Sequence, residues 1–116
     1  MSNYKIAIVG PKDTVLGFKA VGLEAHSALD RDQAVEKLYK LKAAKQEGSE
    51  KPQYAIIFII EYLAMQIPEA DHKKLTSSTM PAIIPIPGPK GTTGFGMRRI
   101  SGIVEKAVGS DILGDK

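Results

Sequence analysis

Residues 81–109, PAIIPIPGPKGTTGFGMRRISGIVEKAVG, decide how the rest of the chain is read. The apolar run Ala82 to Ile86 has the length of a short buried strand. A loop over residues 88–96 follows, carrying Gly88, Gly91, Gly94 and Gly96. Beyond it, Ile100, Ile103, Val104, Ala107 and Val108 recur at the offsets of one helical face, the period of a helix packed on a core. Gly109 stands where such a helix stops. Strand, glycine loop and helix make half of a βαβ unit.

The same grammar runs backwards through the chain. YAIIFII, residues 54–60, is the most apolar run and reads as an interior strand. KIAIV, residues 5–9, is short, β-branched and apolar on both faces, and reads as a second interior strand. A weaker edge strand is expected around residues 25–28. Between these lie helical patterns. Asp13 or Thr14 is placed to cap a helix through Phe18 and Val21, closed by Gly22. Asp30 or Asp32 opens another over about 32–45, with Ala34, Val35, Leu38 and Leu41 inside. Residues 61–67, EYLAMQI, are apolar all round a helix, more than one core-facing stripe needs. Pro68 can begin a polar outer helix over 69–75. Residues 46–53, QEGSEKPQ, read as a flexible surface connection.

Strands alternating with helices predict an α/β fold: a four-stranded parallel sheet, order 2-1-3-4, with helices on both faces, flavodoxin- or receiver-like, plus a C-terminal helix. At 116 residues one domain is expected. Its parts are an α/β core over about 1–96, a helix over about 97–109 and a tail over 110–116. Such a chain buries roughly two-thirds of its unfolded surface and needs no disulfide or metal staple. It has no cysteine, which fits a reducing compartment. The charges are mixed in sign and sum to +3, without the basic stripe and interleaved aromatics of a nucleic-acid binder. No run approaches the ~20 apolar residues of a membrane span, and MSNYKIAIVG lacks a signal-peptide layout. A cytoplasmic protein with no direct membrane insertion is the expectation.

Candidate chemistry is sparse. The 88–96 loop holds glycines, Lys90, Thr92 and Thr93 before a helix, which could cradle a phosphate. Its spacing fits neither the P-loop nor the dinucleotide fingerprint, and a glycine-dependent close approach of backbone is the simpler reading. A receiver needs acidic side chains after its first strand to hold Mg²⁺. Here Gly10 and Pro11 stand there, and Glu61 alone follows the third strand, so phosphotransfer is not expected. His26 and His72 lie far apart and make no zinc pattern. No catalytic, cofactor-binding or metal-binding residue is expected.

The stretch PAIIPIPGPKGTTGFGMRRISGIVEKAVGSDIL, with the opening YKIAIVGPKDTVLGFKAVGLEA and the compatible centre IIFIIEYLAMQIPE, resembles the F subunit of V-type and archaeal A-type rotary ATPases. VEKAVGSDIL is the most specific piece. Residues 46–53 match least. The resemblance implies a non-catalytic rotor subunit of the central stalk. Its partners would be the D subunit, which is the coiled-coil axle, together with the stalk-base subunit and the catalytic head. It would sit peripheral to a membrane-bound complex and help couple ATP hydrolysis or synthesis to rotation and H⁺ or Na⁺ transport. A different class, a small flavodoxin-like nucleotide or phosphate binder or enzyme using the 88–96 loop, is the alternative. A rotor part must hold its axle under torque, which calls for an apolar patch with a polar rim. Tyr62, Met65, Gln66 and Ile67 are the first candidates for that patch, with Phe95 and Met97 beside the glycine loop and Ile112 and Leu113 in the tail.

Overall fold

A computed structural model gives the architecture of the chain and describes residues 4–88. Among these residues it has four strands and four helices, a helix following each of the first three strands and two helices standing between the third and fourth strands. The strands are β1 (Lys5–Gly10), β2 (Glu24–Ser27), β3 (Tyr54–Ile60) and β4 (Ala82–Ile86). The helices are α1 (Lys12–Lys19), α2 (Arg31–Ala43), α3 (Glu61–Ala64) and α4 (Glu69–Leu75). All strand pairs are parallel, in the order β2-β1-β3-β4. The two most apolar strands lie at the centre, as continuous burial on both faces requires.

Register sets the two faces. Ala7, Val9, Ile57 and Ile59 point to one side, where they join Leu38 and Leu41 of α2, Leu63 of α3 and Leu75 of α4 in the larger core. Ile8 and Ile60 point to the other, with Val15 of α1. A register shift beside Lys5 and Ile6 lets Tyr54 share the face of Ile57 despite the odd spacing. Pro85 sits within β4, opposite Ile59. Among the described strands β4 is an edge, where a missing N–H is tolerated.

Several local expectations change. α1 begins two residues earlier than a cap at Asp13 allows, and three earlier than one at Thr14. Pro11 is its N-cap, without a side-chain bond, and its carbonyl accepts from Thr14 and Val15 at 3.0 Å each. The helix ends at Lys19, short of Val21, which is exposed. The edge strand is Glu24–Ser27, one residue earlier than 25–28. For α2, Asp30 and not Asp32 is the cap: its Oδ1 accepts the Gln33 N–H at 2.9 Å. In return, the Gln33 side-chain oxygen accepts the Leu29 N–H at 2.8 Å, a near relative of the capping box. Inside α2, Ala34, Leu38 and Leu41 are buried and Val35 is half-buried.

Residues 46–53 are not a loose connection. Lys45 and Pro52 form an antiparallel bridge, the Gln46 N–H donates to Lys51 O at 2.9 Å, and the Gln53 N–H donates to Ala44 O at 2.9 Å. Gly48 makes the reversal at φ 71°. Polar composition hid this hairpin because its order comes from backbone bonds, which composition does not report.

Candidate interaction surface

The carboxyl edge of the parallel sheet is where such folds place their ligands. It is lined here by Gly10 at the end of β1 and Pro11 after it, Ala28 and Leu29 after β2, α3 after β3, and Pro87 and Gly88 after β4. Backbone crowding keeps its floor small. The Ala28 N–H donates to Gly10 O at 2.8 Å, tying the ends of β2 and β1 together. A Cβ on Gly10 would collide with Cγ1 of Ile60, and one on Gly88 would lie 3.1 Å from Ile60 Cγ2. Gly88 thus serves a close approach of backbone to β3. Residues 89–96 of the glycine loop lie outside the described residues.

α3 leaves β3 without a loop. It is a single turn, Glu61–Ala64, and not a helix running to residue 67. The reason lies in its faces: Leu63 is fully buried and Ala64 nearly so, and a longer helix has Pro68 waiting at its end. The chain instead tightens, with Gln66 N–H donating to Leu63 O at 3.1 Å and Ile67 N–H to Ala64 O at 3.2 Å. Glu61, the first residue of the turn, is 2% exposed.

The candidate patch divides. Tyr62 is 44% and Met65 50% exposed. Gln66 is exposed beside them, its side-chain amide donating to Tyr62 O at 2.9 Å. Ile67 is half-buried against the larger core and does not join their exposed face. Leu29, which no pattern in the sequence singles out for this surface, is 68% exposed at the end of β2. The parallel register places it two strands from α3, roughly 10 Å across the sheet. Its only signal in the sequence is an apolar residue directly before a helix cap, a position also filled by residues that merely staple the helix. Phe95, Met97, Ile112 and Leu113 lie outside the described residues.

The opposite edge holds a polar cluster that no motif in the sequence announces. The Tyr54 hydroxyl donates to Glu24 Oε1 at 2.6 Å. Lys5 Nζ lies 3.1 Å from Glu24 Oε2, and His26 Nε2 3.4 Å from Glu24 Oε1. The His26 and Tyr54 rings meet edge to face at 6.4 Å. The Tyr54 bond, with Lys5 and His26 behind it, holds the Glu24 carboxyl below its ordinary value against the pull of burial. Burial, then the Glu24 carboxylate, pushes Tyr54 up to about 12. These contacts run among residues of β1, β2 and β3, so the cluster ties three strands together.

Among the described residues, no group of three or more His, Cys, Asp and Glu side chains could hold a metal ion. No described helix is long and apolar enough to cross a membrane.

Comparison with known proteins matches residues 6–104 to the family model of the ATP synthase (F/14-kDa) subunit. The V-type ATP synthase F subunit of Fusobacterium nucleatum is 40% identical over 110 residues, covering 95% of this chain and 96% of its own. The A-type ATP synthase F subunit of Thermococcus onnurineus is 33% identical over 108 residues, covering 93% of this chain and 97% of its own. The crystal structure of the V-type ATP synthase F subunit of Archaeoglobus fulgidus superposes with a TM-score of 0.59 over 73% of this chain and 99% of that one. At 12% identity that likeness speaks for the fold alone.

Proposed function

The chain belongs to the family of the ATP synthase (F/14-kDa) subunit, shared by V-type and A-type enzymes, and on that premise we propose that it is a non-catalytic rotor part of the central stalk. In this reading it grips the D subunit, the coiled-coil axle. It also meets the stalk-base subunit and the catalytic head, and stays peripheral to the membrane. It then helps couple ATP hydrolysis or synthesis to rotation and to H⁺ or Na⁺ transport. The observation that carries the reading is the match to a V-type F subunit at 40% identity over 95% of this chain.

The exposed group at the carboxyl edge supports a physical form for the grip. Tyr62 offers a broad ring with a polar tip, and Met65 an adaptable thioether, to an irregular helical surface. Gln66 stands beside them as polar rim. Phe95, Met97, Ile112 and Leu113 extend the proposed contact into the C-terminal part of the chain. Ile67 contributes by packing beneath.

The test is binding of the purified chain to a coiled-coil axle subunit. Tyr62→Ala with Met65→Ala is expected to weaken the complex at least about tenfold, as the loss of central anchors does. Unchanged affinity on a folded variant removes the patch from the reading. Failure of the unaltered chain to bind any such axle, with tight binding of a nucleotide or flavin instead, removes the rotor reading itself.

A further inference from the structure

The two ends of the sheet carry opposite charge. The strands run one way and α1, α2 and α4 return the other, so these helices start at the carboxyl edge and stop at the amino edge. Asp13, Asp30, Asp32 and Glu69 stand exposed where the helices start. Lys40 and Lys42 close α2, and Lys73 and Lys74 close α4. Lys45 and Lys51 stand on the hairpin between α2 and β3. That hairpin is pinned to the amino edge, where the Lys5 N–H donates to Gln53 O at 2.9 Å. Side chains join the neighbouring pieces: the Tyr39 hydroxyl of α2 donates to Asp71 of α4 at 2.7 Å, and Lys42 Nζ to Ser78 Oγ at 2.7 Å. Five of the six lysines are exposed and Lys42 is half-buried. Among the described residues none of the six is in an ion pair.

Compensation of the helix ends does not account for the group. A helix C-terminus carries about half a negative charge, so α2 and α4 together offset about one of the six. Lys45 and Lys51 lie beyond both helices. The carboxylates of this end do not balance the rest. Glu24 is held by Tyr54, Lys5 and His26, and Asp71 accepts the Tyr39 hydroxyl. Glu47 and Glu50 remain, exposed on the hairpin. Six ammonium groups gathered in this way repel one another until a counter-charge arrives. Met80 emerges among them, 38% exposed, its carbonyl accepting from the same Ser78 Oγ at 3.2 Å.

We propose that this lysine-rich amino edge is a docking surface for an acidic protein partner, whose Asp and Glu carboxylates meet the lysines around an apolar contact with Met80. Charge complementarity carries the inference. Position agrees with it: the edge lies opposite Tyr62 and Met65, so a partner here does not compete for the proposed axle grip. Residue types favour carboxylates over nucleic-acid phosphates. Arg31, the one described arginine, sits at the other end, 3.2 Å from Asp32. Tyr4, Tyr39 and Tyr54 near the amino edge are buried or half-buried, so no ring is offered for bases to stack on. On the α2 and α4 side of the edge Met80 is the one large apolar side chain exposed among the described residues, too little for insertion into a membrane surface.

Charge reversal tests it. Lys45→Glu with Lys74→Glu strikes the patch. Lys12→Glu with Lys19→Glu, both exposed on α1 across the sheet, makes the same change in net charge and is the control. For the isolated full-length chain the probe is poly-L-glutamate, followed through backbone amide shifts at low salt. The expected shifts cluster at residues 40–51 and 73–80, disappear in the first variant and persist in the control. They also fade near 0.5 M salt, where charges are screened within about 4 Å. Shifts spread evenly over all lysines, or lost equally in both variants, overturn the proposal. Tighter binding of duplex DNA or of phosphatidylserine vesicles than of poly-L-glutamate overturns it too. A second measurement rests on the rotor reading and uses a stalk and head assembly lacking this chain. Association of the first variant at low salt is expected to slow at least about tenfold, with the control unchanged. An unchanged rate in the first variant overturns the proposal. So does a loss of affinity for the isolated axle, which would put the lysines in the grip itself. Failure of the unaltered chain to bind any axle counts against the rotor reading alone, and the poly-L-glutamate result then decides this proposal.

Discussion

Glu24 shows how much a single side chain organises in this protein. Alone on an edge strand it reads as a surface charge. In the folded chain it receives Tyr54, Lys5 and His26 at once. Its pKa is lowered by folding from the ordinary 4.5, so its contribution to stability is present above about pH 5 and is lost as pH falls through the folded value. Tyr54 is the mirror case. Its pKa rises from 10.0 to about 12, so its contribution is present below about pH 10 and disappears as pH climbs through 12. Thermal melts across pH should therefore show a plateau that falls on both flanks. Glu24→Gln is expected to flatten the acid flank, and Tyr54→Phe the alkaline one. Flanks unchanged in both variants would detach the cluster from stability. The sequence hid this cluster because residues 5, 24, 26 and 54 belong to three strands, and only register brings them together.

Elements were legible where a hydrophobic period was long and illegible where backbone bonds decided. β3 and β4 match their apolar runs because such runs have nowhere else to go. α1 and α3 depart at their ends, where Pro11 and Pro68 outrank side-chain capping and apolar content. The hairpin over 46–53 departs most, since its polar residues carry no period at all. Its bonds make a specific prediction for hydrogen exchange. The Gln46 and Gln53 amides donate within the ladder and should exchange at least about tenfold more slowly than the Glu47 amide at the turn. Equal rates at the three positions would return the segment to a loose loop.

At the scale of the whole molecule, the layers set what a substitution costs. Leu38 is fully buried between α2 and the sheet, whereas Leu16 on α1 is 57% exposed. Leu38→Ala is expected to cost about 2–5 kcal/mol in a denaturant melt, and Leu16→Ala less than about 0.5 kcal/mol. Similar losses would contradict the layering. The same contrast separates the candidate surface from the core around it. Leu63 and Tyr62 are sequence neighbours, yet one is sealed inside and the other stands 44% in solvent. The sequence marked residues 61–67 as too apolar for one stripe. It did not divide them, because the division depends on where α3 stops and on which side β3 faces.

Sequence alone determined the alternation of strands and helices, the two central strands and the parallel order. These follow from apolar runs that must be buried on both sides and from crossovers of one hand. Tertiary structure alone decided the polar cluster at Glu24, the exposure of Leu29 and the inward turn of Ile67. Each depends on contacts between residues distant in the chain. Such contacts are fixed by register and by the ends of helices, and neither is written in a local pattern.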